Sequence, residues 1–240
     1  MIAAGKTNKK FVSYGTICMV TTDSADDIKQ YHVKYWNDLL GHKFILEMAA
    51  GSLPIEKFSF YLRQDQLFLK EFCAFLLIAR QKSTDEKLKI WFDGLYHSTI
   101  NSEMPMQREL LLSLGELSNI DNDSTIAIAS ATLNYVSFLR QVSLSAKNLE
   151  VIVSAMAPCP WSYLEIAQKL SKSHIKKDVY SKWVQFYSSN ESKQQIKELK
   201  IILSNLYDQA DDSTKVIIMQ HFGAACEYEY NFWEAAYNMG

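Results

Sequence analysis

Glycine and proline are scarce in this chain, 8 and 4 among 240 residues, which argues against a fold rich in tight turns. Cysteine is equally sparse. Cys18, Cys73, Cys159 and Cys226 form no CxxC pair and have no histidine at zinc spacing. A disulfide scaffold would be far denser in cysteine, so free thiols in a reducing cytoplasm are the expectation. No apolar run approaches the ~20 residues needed to span a bilayer. Lys6, Lys9 and Lys10 precede Phe11–Val20, but that stretch contains Ser, Tyr, Gly and Thr and is too polar for a signal-peptide core. An excess of one charge sign is also missing: Lys and Arg number 25 against 27 Asp and Glu, a net −2. The basic residues are scattered and form no stripe to follow a phosphate backbone. The composition therefore points to a soluble, cytoplasmic protein that engages neither nucleic acid nor membrane.

Several site motifs are absent too. Glycine-rich phosphate loops and GxSxG elbows do not occur. His32, His42, His97, His174 and His221 form no HxxxH or ExxH pair, so no metal site is expected.

What the chain does have is helical periodicity. Hydrophobic residues make up 48% and charged residues 22%, ordinary values for a packed globular protein. From Asp27 to Ala50 the apolar residues fall at helical spacing, with Gly41 as a point of bending. Gly51-Ser52 breaks that segment, and Pro54 opens the next, whose apolar face runs through Phe58, Tyr61, Phe68, Phe72 and Leu76. Ser83-Thr84-Asp85-Glu86 reads as a helix start. Further helices are expected over Lys87–Ser102, Pro105–Leu114, Ser124–Leu144, Lys147–Leu170, Asp178–Tyr187, Glu191–Ala210 and Ser213–Tyr237, with short polar linkers such as Asn119–Ser124 and Ser171–Lys177. Residues 1–25 favour strand or irregular structure and read as an appended arm; residues 26–240 read as one helical domain. The fold class is all-α, a single-domain helical bundle.

Three residues invite chemistry. Cys159 lies between Pro158 and Pro160, which lack the N–H that a helical ladder needs. A helix restarting with Pro160 in its first turn places Cys159 at its positive end, where thiolate is favoured over thiol. Tyr163, four residues on, shares its face. The plainer alternative is a buried cysteine beside a proline kink. Asp65 interrupts an apolar face, with Tyr61 four residues before and Phe68 three after. Such a carboxylate anchors a polar ligand or is satisfied by a neighbouring Arg or Tyr. Glu229 shares an i, i+3, i+4, i+7 stripe with Phe232, Trp233 and Ala236. Desolvation among aromatics raises its pKa towards neutrality, suiting proton transfer, unless it merely satisfies backbone or tyrosine donors.

Taken in order, these segments resemble the thiaminase II (TenA) family, in its cysteine class, whose fold is similar to haem oxygenase. The resemblance runs from about Trp36 to Tyr237. It rests on Gly41-His42-Lys43-Phe44, Gly51-Ser52-Leu53-Pro54 through Phe58, Tyr61-Leu62-x-Gln64-Asp65, Pro158-Cys159-x-Trp161-x-Tyr163-x-Glu165, Tyr180-x-Lys182-Trp183, and Tyr228-Glu229-Tyr230-x-Phe232-Trp233. It implies that Cys159 is the nucleophile adding to an aminopyrimidine ring, that Glu229 gives and takes protons in ring addition and loss of the leaving group, and that Asp65 binds the ring's exocyclic amine and an adjacent ring nitrogen. Tyr163 would position the cysteine. Tyr135 and Tyr187 would line the pocket, Phe68 and Phe232 would wall the ring, and Gln64 would join in substrate binding. The resemblance further implies a small-molecule aminopyrimidine or thiamin as substrate, no metal or organic cofactor, and a homotetramer. Phe68 lacks a hydroxyl found in some relatives, Gln107-Arg108-Glu109 replaces a more usual HRE, and the N-terminal arm has no counterpart. The competing functions are a pyrimidine binder or regulator without turnover, and a haem- or di-metal-dependent oxidase, which the missing histidine pairs disfavour.

Overall fold

Between Asp23 and Ala50 the apolar periodicity is cut at the two points where the backbone leaves the helical region. In the computed structural model, which describes residues 23–115, 127–173, 175 and 177–240, α1 (Asp23–Tyr31), α2 (Val33–Leu40) and α3 (Lys43–Ala50) replace the single bent segment expected there. His32 turns the chain with φ −99° and ψ 22°, and Gly41 does so with φ −94° and ψ 4°. His42 then caps α3, its Nδ1 accepting the Phe44 N–H at 3.2 Å. Gly51 ends α3 at φ 71°, a left-handed position that costs glycine nothing, and its N–H reaches the Glu47 and Met48 carbonyls. Since α1 begins at Asp23, the last residues assigned to the arm are already helical; residues 1–22, the Asn119–Ser124 linker, Cys18 and His174 lie outside the described residues.

The remaining elements are α4 (Ile55–Lys82), α5 (Glu86–Ser98), a π-helical turn (Thr99–Glu103), α6 (Met104–Ser113), α7 (Ser130–Ser145), α8 (Leu149–Met156), α9 (Pro158–Leu170), α10 (Asp178–Tyr187), α11 (Asn190–Gln209) and α12 (Asp212–Asn238). Asp85 starts α5 by accepting the Lys87 N–H at 2.7 Å, as the acidic start signal predicts. The expected break before Pro105 is instead a continuous passage. The turn widens, the Met104 N–H bonds the Thr99 carbonyl, and the proline falls in the first turn of α6, where no N–H is required. The expected helix Lys147–Leu170 is divided at Ala157 and Pro158, because Pro158 and Pro160 cannot donate to the preceding turn.

Every regular element among the described residues is a helix. The long helices α4 and α12 pack on each other at the centre. Around them, α4 is covered by α5, α6 and α7, and α12 by α2, α3, α7, α8 and α9. The buried side chains form two apolar clusters. One gathers around Phe72, Phe75, Leu139, Ile152 and Phe222. The other gathers around Phe44, Phe58, Tyr61, Trp183 and Trp233. Each large side chain fully buried there contributes roughly 2–3 kcal/mol of transfer free energy. On α4 the boundary between them is the run Gln64-Asp65-Gln66, with Leu62 in one cluster and Phe68 in the other. On α12 the boundary is Glu229, between Cys226 and Phe232. The polar centre of the molecule is thus a seam between two apolar masses. Glu165 of α9 locks the near side: its carboxylate accepts from Lys29 of α1, Trp36 of α2 and Trp161, each at 2.8 Å.

Candidate active site

Asp65 is 3% exposed, and a carboxylate in that position must be hydrogen-bonded. Its partners come from its own helix and from α6. The Tyr61 hydroxyl, one turn earlier, donates to Oδ2 at 3.0 Å, and the Gln107 amide donates to the same atom at 2.5 Å. Both bonds fall on Oδ2, so Oδ1 is the atom left for a ligand. Gln107 is fully committed. Its nitrogen also donates to the Tyr187 hydroxyl at 3.1 Å, and its oxygen accepts from Gln66 at 3.0 Å. Trp183 in turn donates to the Tyr61 oxygen at 3.0 Å. Burial drives the Asp65 pKa up to about 7, against the opposing pull of the Gln107 and Tyr61 bonds.

Cys159 is the second residue of α9, as the flanking prolines predict, and Glu229 approaches it from the middle of α12. The thiol and the Glu229 carboxyl interact electrostatically. The expected thiolate is not what this position favours. Burial holds the Cys159 thiol well above its ordinary pKa, and the carboxyls of Glu229, Asp65 and Glu103 add to the shift, outweighing the positive end of α9. Glu229 behaves as its aromatic surroundings predict: burial lifts it to about 8, against the pull of the Tyr135 and Cys159 hydroxyl and thiol. The Tyr135 hydroxyl lies beside this carboxyl, yet it has no hydrogen bond of full geometry among the described residues. Its ring stacks on Tyr228 at 5.5 Å and leans on Phe68 at 4.9 Å, while Phe68 meets Phe232 at 6.1 Å.

A cavity of about 180 Å³ opens in front of this group, lined by Asp65, Cys159, Tyr163 and Tyr187 among others. Glu229, Tyr135, Phe68 and Phe232 are not part of that lining. Gln64 stands outside it as well. Its oxygen accepts from the Ala129 N–H at 2.9 Å and the Thr132 hydroxyl at 3.0 Å, and its nitrogen donates to the Ala127 carbonyl at 3.0 Å. The side chain that the sequence suggested for substrate binding holds the start of α7 instead.

Glu103 is the residue that the sequence reading passed over. It ends the π-helical turn, lines the cavity, and accepts the Tyr187 hydroxyl at 2.8 Å. Burial and the nearby Asp65 charge raise it to about 8. A signal was present: Glu103 lies four residues before Gln107, so a helix carrying one inward presents the other beside it. Among the described residues, no group of three His, Cys, Asp or Glu side chains is arranged to hold a metal ion, and no helix is long and apolar enough to cross a membrane.

Comparison with known proteins places the chain in a family. The TENA/THI-4/PQQC family model matches residues 29–239. An aminopyrimidine aminohydrolase from Halalkalibacterium halodurans is 30% identical over 205 residues, spanning 85% of this chain and 90% of that protein. A TenA homologue from P. horikoshii superposes with a TM-score of 0.80 at 24% identity, covering 90% of this chain and 99% of its own. A domain of unknown function with a haem oxygenase-like fold, from Shewanella denitrificans, superposes with a TM-score of 0.70 at 11% identity, covering 90% and 92%. The haem-oxygenase-like helical fold expected from the sequence is the fold observed.

Proposed function

Because this chain belongs to the TENA/THI-4/PQQC family, we propose that it is a hydrolase of aminopyrimidines, converting 4-amino-5-aminomethyl-2-methylpyrimidine to the hydroxymethylpyrimidine, with thiamin as a further substrate. The observation that carries the proposal is a nucleophile, a proton carrier and a ring anchor meeting at one cavity. Cys159 and Asp65 line that cavity, and Glu229 interacts with the thiol. Support comes also from relatives such as the H. halodurans aminopyrimidine aminohydrolase.

In this reading Asp65 Oδ1 engages the ring's exocyclic amine and the adjacent nitrogen, while Tyr61 and Gln107 fix Oδ2. The ring then lies over Cys159. The thiol adds to a ring carbon as its proton passes to Glu229, which hands a proton to the ring nitrogen that gains electron density. The electron-rich adduct expels the substituent on the methylene carbon, water takes its place, and Cys159 leaves to restore the aromatic ring. Tyr163 orients the thiol from the same face of α9, and Phe68, Phe232 and Tyr135 stiffen the wall behind it. No step needs a metal or an organic cofactor. Assembly as a homotetramer and a cytoplasmic location belong to the same proposal; sedimentation of the purified protein decides the first.

The test is product formation by chromatography, with the aminomethylpyrimidine and thiamin offered in parallel. Hydroxymethylpyrimidine forming faster from the aminomethyl compound supports salvage hydrolysis. Faster release from thiamin supports a true thiaminase. No product from either, at enzyme concentrations that saturate the ligand, overturns the catalytic reading in favour of a pyrimidine-binding protein.

A further inference from the structure

The hydrolysis proposed above requires an amine to leave, and an amine is a poor leaving group unless a proton reaches its nitrogen as the C–N bond breaks. Glu229 interacts with the Cys159 thiol and is not among the residues that line the cavity, whereas Glu103 is. Ser98, Ser102, Glu191 and Gln195 line both the cavity and a larger outer groove between α5 and α11, so the passage to solvent runs past them. Glu103 follows Ser102 in the same π-helical turn and lines the cavity together with Asp65.

We propose that Glu103 is the acid that protonates the departing amine, and the base that then receives the proton of the incoming water, a division of labour in which Glu229 serves the thiol and the ring. The inference rests on the aminohydrolase reading of the same site. The geometry fixes which oxygen acts. Tyr187 donates to Oε1 at 2.8 Å, leaving Oε2 for the ligand, and Gln107 holds the Tyr187 hydroxyl in that orientation. A widened turn of this kind moves one side chain out of helical register, which is a recurrent device at functional sites.

The steps balance. The ring adduct pushes out the nitrogen with the C–N electron pair, the Glu103 proton joins it, and ammonia departs towards the groove. Glu103 is then a carboxylate facing the exocyclic methylene. Water adds to that carbon, and its proton returns to Glu103, so each turnover restores the acid. The cavity's size fits this substrate. A cavity of roughly 150 Å³ takes one six-membered aromatic ring, and about 180 Å³ leaves room for small substituents on that ring. Burial and Asp65 together keep Glu103 protonated up to about 8. The ionisable groups around it are Asp65 and Cys73 of α4, Cys159 of α9, Tyr187 of α10 and Glu191 of α11.

The test is steady-state turnover of the aminomethylpyrimidine and of its N-trifluoroethyl analogue by the wild-type protein and Glu103→Gln. The analogue's less basic amine leaves with little help. Glu103→Gln is expected to lower kcat on the aminomethyl compound by about 10²-fold or more with little change in KM, and by under about fivefold on the analogue. It is also expected to lose the fall in kcat above about pH 8. Equal losses on both substrates, or a retained basic limb, overturn the assignment. If Glu103→Gln melts cooperatively only at low temperature, Glu103→Asp serves instead: partial recovery of the limb supports the role, and loss without recovery overturns it. A wild-type protein idle on both compounds overturns the aminohydrolase reading itself, which separates the two failures.

Discussion

The thiol of Cys159 on α9 faces the carboxyl of Glu229 on α12, and burial leaves both groups uncharged at neutral pH. The pair titrates as a unit, and losing one proton from it is what arms the cysteine. Turnover is therefore expected to rise with pH towards about 8, the value to which burial lifts Glu229. Glu229→Gln should flatten that acid limb and lower kcat by about 10²-fold or more, and Cys159→Ser should lower it by about 10³-fold or more. Both variants keep the volume of the original side chain, so their melting temperatures should stay close to wild type. Normal turnover by Cys159→Ser would end the covalent mechanism.

The same buried carboxyls govern how stability changes with pH. Asp65 is raised to about 7, and Glu103 and Glu229 to about 8. In the unfolded chain they ionise near the ordinary carboxylate value of ~4. Between those limits the folded protein holds more protons than the unfolded one, so the stability these groups contribute falls as pH rises. The decline begins near ~4, is complete above about 8, and is opposite to that of carboxylates in surface ion pairs. Thermal unfolding between pH 5 and 9 should show Tm dropping by at least a few degrees, roughly 1 kcal/mol per 2–4 °C for a chain of this size. Asp65→Asn should make the slope shallower. Identical slopes in the two proteins would sink the explanation.

Much of this was legible in the sequence, for definite physical reasons. Cys159, Asp65 and Glu229 each break an apolar or helical pattern, and such breaks in a buried stripe are visible in the residues alone. The helices on either side of them are set by long, regular periodicity. What escaped depends on tertiary placement. The thiol's neutrality follows first from burial and then from three carboxyls brought around it by α4, the π-helical turn and α12. Glu103 was hidden because a π-helical turn has no strong sequence signature and the adjacent Pro105 suggested a boundary. Gln107, noted only as a departure from a family pattern, proved to be the bridge between Asp65 and Tyr187. Gln64 is separated from its neighbour by helix geometry: adjacent residues point about 100° apart, and of the two only Asp65 lines the cavity.

That placement of Gln64 makes its own prediction. Ala129 caps α7 without a side chain able to accept, and Gln64 accepts its N–H and the Thr132 hydroxyl in place of a local cap. Gln64→Ala would strand the Ala129 N–H, the Thr132 hydroxyl and the Ala127 carbonyl. The loss should be about 1–3 kcal/mol, read as a lower midpoint in urea at unchanged slope. A substrate contact would behave differently, raising KM while leaving the midpoint in place.

Gly223 of α12 is required by close approach rather than by backbone conformation. A Cβ at that position would lie 2.5 Å from His32 Cε1 and 2.9 Å from Nδ1. The imidazole cannot retreat cheaply, since its Nε2 is bonded to the Met219 carbonyl at 2.9 Å and its ring stacks on Phe222 at 5.8 Å. Gly223→Ala should therefore destabilise the protein by about 1–3 kcal/mol, either by pushing α2 off α12 or by breaking the Met219 bond. His32→Ala removes the obstacle. In the double variant the methyl group at 223 should cost nothing further and should gain the helix propensity that glycine lacks. A double-mutant cycle of thermal or urea unfolding measures this directly, with a coupling of at least about 1 kcal/mol expected. Simple additivity of the two changes would mean that His32 does not fill the space against Gly223, and that the seating of α2 on α12 rests on Trp36 and Phe222 instead.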